Sequence, residues 1–138
     1  MNMPMPFEEV EHTADLALRV RGATLEQLFV HAAQGMFYLM HCAPTDNSHP
    51  IMHRITLEAP DIESLLVDWL NELLYLAERG QEHLAEYEIE TMTPTSIVAV
   101  TCGWTHHSRQ KVIKAATFWD LSIVQQDNYW ETTITFDV

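Results

Sequence analysis

The chain has 138 residues, 47% of them hydrophobic, and its 20 acidic side chains against 7 basic ones give a formal net charge of −13. This length predicts one domain, residues 1–138, with enough apolar side chains to bury a core without disulfides or a structural metal. The charge argues against broad nucleic-acid binding, because affinity for phosphates comes from Lys and Arg; it suits solubility, or steering toward a basic protein partner.

No apolar run approaches the roughly 18 residues of a membrane span. Met1-Asn2-Met3-Pro4-Met5-Pro6 has neither the basic region nor the apolar run of a signal peptide. Cys42 and Cys102 lack CxxC spacing, so both are expected to be reduced, buried thiols of a cytoplasmic protein.

Leu16, Leu18 and Val20 alternate with Ala17, Arg19 and Arg21, which predicts a half-buried strand leading to a turn at Gly22. Thr24-Leu25-Glu26-Gln27 is a capping box, and Leu25, Leu28, Phe29, Ala32, Met36, Leu39 and Met40 form the apolar stripe of a helix ending near Cys42. A turn-rich loop runs from Ala43 to Pro50. Ile51, Ile55 and Leu57 then mark a strand, with His53 on its apolar parity. A second helix starts at Pro60 and Asp61, buries Ile62, Leu65, Leu66, Trp69, Leu70, Leu73, Leu74 and Ala77, and is expected to terminate at Gly80. Its phase leaves Asp68 and Asn71 toward the solvent edge.

Beyond Gly80 the pattern predicts strands over about 84–92, 96–104, 112–125 and 128–138, with Gln126-Asp127-Asn128 as a hairpin turn. The expectation is an α+β fold, a single-domain mixed or antiparallel sheet of about six or seven strands with two α-helices packed on one face.

Nucleotide cradles and acyl-transfer elbows are absent: the chain has 4 glycines and no GxxxxGK, GxGxxG or GxSxG. Its 8 histidines form no HExxH motif, and the adjacent His106 and His107 would point to opposite faces of a strand. The remaining chemistry is acidic. Glu11-His12-Thr13-Ala14-Asp15 opens the first expected strand, and Phe136-Asp137-Val138 closes the sequence. With Val138 read as the last residue, a strand stopping there gathers a side-chain carboxylate, a main-chain carbonyl and the α-carboxylate, which hard divalent cations favour. Asp15 beside Asp137 would complete such a site. Glu11, Asp15, Asp120 and Asp137, with Lys114 between the strands that carry them, equally suit general acid/base work or plain solvation.

Five segments in order resemble the archease family: Glu11-His12-Thr13-Ala14-Asp15, Thr24-Leu25-Glu26-Gln27-Leu28-Phe29, the helix run Leu65 to Leu76, Ile113-Lys114-Ala115-Ala116-Thr117, and Phe136-Asp137-Val138. The resemblance implies a small acidic α+β protein that is not itself an enzyme. It would activate an RtcB-type RNA ligase in tRNA splicing and RNA repair, promoting guanylylation of the ligase histidine and multiple turnover. It also implies metal ligation by Asp15, Asp137 and the main chain of Val138, with Ca2+ the expected ion and Mg2+ or Mn2+ as alternatives, and associates Glu11, His12 and Lys114 with function. Rival readings are a metal-dependent hydrolase using Glu11 and Asp15, or an acidic chaperone or adaptor. The chain departs from the family pattern at Phe118-Trp119, where an aromatic-histidine pair is usual, and over residues 103–109, which lack the common charged loop.

Overall fold

A computed structural model describes residues 6–10, 16–41, 43–45, 47–105, 107–108 and 111–138. The elements are β1 Phe7–Val10, β2 Leu16–Gly22, α1 Leu25–Leu39, β3 Ala43–Pro44, β4 Pro50–Glu58, α2 Ile62–Gly80, β5 Glu82–Thr93, β6 Ser96–Thr105, β7 His107–Ser108, β8 Ala115–Ala116, β9 Val124–Gln125 and β10 Trp130–Asp137. All pairings are antiparallel. A five-stranded sheet has the order β1-β2-β10-β8, with β9 on β10 as well; a three-stranded sheet has the order β4-β6-β5; β3 and β7 form a small pair. The α+β class thus holds, with the strands divided between two principal sheets.

Both helices begin as local chemistry dictates. The Gln27 N–H donates to Thr24 Oγ1 at 3.1 Å, and Gln27 Oε1 accepts from the Ala23 N–H at 2.9 Å. This is the expected capping box, with its return bond one residue before the cap. At α2 the Asp61 carboxylate accepts from the Ser64 N–H at 2.7 Å, and that bond holds the Asp61 pKa below its ordinary value. The end of α2 differs from expectation. Gly80 is helical, and Gln81 takes the left-handed cap with φ 52°. A Cβ at Gly80 would meet the Glu82 side chain at 2.7 Å. The glycine therefore clears room for Glu82, whose Oε1 lies 2.6 Å from His53 Nε2.

One core serves both sheets. α1 packs chiefly on β2 and also on β5, whereas α2 packs on β5 and β8. Trp69 is fully buried and donates its indole N–H to the Phe29 carbonyl at 3.0 Å, joining the helices by a bond as well as by area. In the three-stranded sheet the parity places Ile55, Ile97, Ala99 and Leu84 inward. A register shift between Leu84 and Glu86 brings β5 close to β6. Gly103 is required there, since a Cβ would lie 1.7 Å from the His83 carbonyl oxygen. Cys102 is a free, half-buried thiol on the opposite parity rather than a core cysteine; Cys42 lies outside the described residues.

Two strand expectations change. Residues 7–10 form β1, a four-residue edge strand that the sequence pattern does not predict. Residues 112–125 do not form a continuous strand. Only 115–116 and 124–125 pair with β10, because the chain turns between them, with the Leu121 N–H donating to the Phe118 carbonyl at 3.0 Å and Asp120 at φ 52°. The hairpin at 126–128 forms as expected, closed by the Gln126 N–H on the Tyr129 carbonyl at 2.7 Å.

Candidate functional site at the end of β10

Phe136 is fully buried and pairs with Leu16 on one side and Ala116 on the other. The alternation of a strand then sends Asp137 outward, where it is exposed, as is Val138. The apolar anchor and the acidic residue are thus consecutive, so the core fixes the carboxylate's position. The Lys114 N–H donates to the Asp137 carbonyl at 2.8 Å. That bond engages the Asp137 main-chain oxygen, while the Asp137 side chain and Val138 lie at the exposed end of the strand.

Residues 114–116 are too few to hold this edge as a strand, and α2 supplies the missing bonds. Asn71 acts as a surrogate peptide: its Nδ2 donates to the Ala116 carbonyl at 3.2 Å and its Oδ1 accepts from the Ala116 N–H at 2.8 Å. Its assignment to the solvent edge is therefore corrected, while Asp68 is exposed as expected. Two turns earlier on α2, Glu63 Oε2 accepts from the Ile123 N–H at 3.2 Å. Thr117 adds a third clamp, its N–H and its hydroxyl both donating to the Thr135 carbonyl at 3.0 and 2.9 Å. Sequence reasoning missed Asn71, Glu63 and Thr117. The only signal was a polar residue within the most apolar helix, a hint that a buried amide needs a partner.

Lys114 is exposed beside a groove of about 470 Å3 lined by Asn71, Leu74, Tyr75, Glu78 and residues 112–115. Across the same sheet, Glu8 lies 3.0 and 3.2 Å from Arg19 and Arg21, and Glu131 lies 3.5 Å from each. The hydrogen bond from Arg19, followed by the charge of Arg21, lowers the Glu8 pKa. No ion pair among the described residues engages Asp137. The structure therefore brings together Asp137, Val138 and Lys114. Glu11, His12 and Asp15 lie outside the described residues; Asp15 is covalently joined to Leu16, the residue paired with Phe136. No group of three or more His, Cys, Asp or Glu among the described residues could hold a metal.

The fold and this edge define a small acidic α+β protein whose distinctive surface is a backbone-clamped strand end. Residues 7–138 match the family model described as the Archease protein family (MTH1598/TM1083), and the chain belongs to the archease family. It is 33% identical over 141 residues to the protein archease of Methanosarcina mazei, covering 96% of this chain and 95% of that one. It is 32% identical over 139 residues to the protein archease of a Saccharolobus islandicus strain, covering 96% and 98%. The solution structure of Methanobacterium thermoautotrophicum protein 1598 superposes with a TM-score of 0.68 at 25% identity, covering 96% of this chain and 99% of that one. The crystal structure of an archease, possible chaperone, from Thermotoga maritima shares the fold with a TM-score of 0.63 at 19% identity, covering 100% and 98%. Among the described residues no helix is long and apolar enough to cross a membrane.

Proposed function

We propose that this chain is a cytoplasmic protein cofactor of an RtcB-type RNA ligase, promoting guanylylation of the ligase's active-site histidine and repeated turnover in tRNA splicing and RNA repair. The observation that carries this reading is the family match over residues 7–138. The exposed Asp137, following a buried Phe136 and clamped through Lys114 and Ala116, supports the end of β10 as the working end. The chain would not perform the joining chemistry. A cofactor that binds the competent state of the ligase more tightly than its other states shifts their populations by that difference in affinity.

In this reading Asp15, Asp137 and the main-chain oxygen of Val138 hold a divalent cation, with Glu11, His12 and Lys114 around it. The donors fit: all are hard oxygens, and the Asp137 carboxylate is not drawn into an ion pair among the described residues. Calcium suits such a flexible oxygen set; magnesium or manganese would need a tighter one. Bound there, the cation would neutralise the clustered acids and draw the Asp15 segment to the end of β10. Lys114 contributes its N–H to orienting Asp137 and keeps its ammonium exposed for a partner's anionic group.

The test is multiple-turnover RNA joining by an RtcB-type ligase from the same source, with GTP and divalent metal, with and without this protein. Stimulation at substoichiometric protein is expected. Asp137→Ala should lower it by about tenfold or more while leaving the unfolding midpoint nearly unchanged, because exposed carboxylates contribute little to stability. Absence of stimulation by the wild-type chain would sink the reading.

A further inference from the structure

Between the two short strands on the edge of β10, the chain projects a turn whose backbone is held at several points. Thr117 is bonded twice to the Thr135 carbonyl, the Trp119 N–H donates to Thr117 Oγ1 at 3.4 Å, and the Leu121 N–H closes on Phe118. On this frame Phe118 and Trp119 are 55% and 61% exposed. Neighbouring large aromatics on a fixed turn are costly surface for a monomer and are the side chains most often found as interface anchors. The turn joins β10 at Thr135, two residues before Asp137, so this apolar tip and the acidic strand end share one edge.

The charge around the tip selects among partners. On this edge Asp120 is exposed in the turn itself and Asp137 is exposed two residues beyond Thr135, against Lys114, while Glu131 is paired with Arg19 and Arg21. Exposed aromatics can stack on unpaired bases, but single-strand binders set such platforms in a positive groove that tracks the phosphates. This surface has the opposite sign. An apolar cleft rimmed by Lys and Arg on another protein matches both the aromatic pair and the acids beside it.

We propose that Phe118 and Trp119 form an apolar anchor that seats this chain in a basic-rimmed cleft of its protein partner. The identity of that partner rests on the ligase reading above.

The test measures affinity for the RtcB-type ligase from the same source by calorimetry, at low and high salt. Phe118→Ser combined with Trp119→Ser should weaken binding by about tenfold or more, with the circular dichroism spectrum retained. Asp120→Asn, which keeps the aromatics and tolerates the left-handed backbone, should weaken binding several-fold at low salt and converge with wild type at high salt. Wild-type binding and stimulation left intact by the double substitution would overturn the anchor alone. A wild-type chain that does not bind the ligase would overturn both the anchor and the functional reading. Tight binding of a single-stranded RNA oligonucleotide by the wild type, lost in the double variant, would overturn the protein cleft in favour of base stacking.

Discussion

In the three-stranded sheet, β4 and β5 are paired along nearly the whole of β6, residue against residue from Pro50↔Trp104 to Glu58↔Ser96 on one side. The edge of β10 beside Asp137 is held by two-residue strands, and side chains from Asn71, Glu63 and Thr117 supply much of its remaining hydrogen bonding. The first arrangement is held by long ladders, unbroken between β4 and β6 and interrupted by two register shifts between β5 and β6. The second is ordered by tethers that can be cut singly, so it can present exposed groups in a fixed place without a further strand covering them. The difference teaches that in this fold the site's position is set by the helix beneath it as much as by the sheet that contains it.

Substitutions should separate the two regions, beginning with the core they share. Trp69→Ala removes the largest fully buried side chain and its bond to Phe29, and should cost about 3–5 kcal/mol. Both sheets should then lose protection together in urea; loss confined to one would break the single-core description. Gly103→Ala forces a Cβ onto the His83 carbonyl and should cost about 1–3 kcal/mol or more. Amides of β4, β5 and β6 should exchange faster while those of β10 keep pace with global stability. A neutral Gly103→Ala would show that the register shift at Ala85 relaxes freely.

Asn71→Ala strips the Ala116 N–H and carbonyl of their side-chain partner at the opposite region, and should cost about 1–3 kcal/mol. The expected signature is faster exchange at Lys114 and Thr117 with little change in β5 and β6. Uniform loss across both sheets would sink the tether model. The smallest effect belongs to the start of α2. The Asp61 pKa is lowered in the folded chain, so its stabilisation is present above its unfolded value and is lost as pH falls through the folded value. Wild type should exceed Asp61→Ala in thermal midpoint at neutral pH, and the gap should narrow in acid. A gap that widened on acidification would refute the capping account.

Local chemistry made the helices legible in the sequence: Thr24 and Asp61 announce their starts, and the apolar stripes of both helices bury as the 3.6-residue period requires. The half-burial of His53 was legible from parity, although its partner Glu82 was not. What failed were features whose causes are distant. Asn71 bonds to a residue 45 positions away, which no helical phase reveals. The break in residues 112–125 depends on a non-glycine residue, Asp120, taking a left-handed backbone in a turn without Gly or Pro. At the site, the outward setting of Asp137 follows from the alternation after Phe136, whereas the way it is fixed required the tertiary fold.

The amide pair between Asn71 and Ala116 has a consequence for how this edge opens. Because the Ala116 N–H is bonded to a helix side chain, its exposure to solvent requires α2 to shift or the tether to break, and fraying of β8 from β10 is insufficient. In native-state exchange the Ala116 amide should therefore report the opening of the helix, although it belongs to a two-residue strand, while the neighbouring Lys114 amide reports separation from Asp137. Two amides two residues apart would then belong to different cooperative units, and the boundary between those units would run through the segment that carries Lys114.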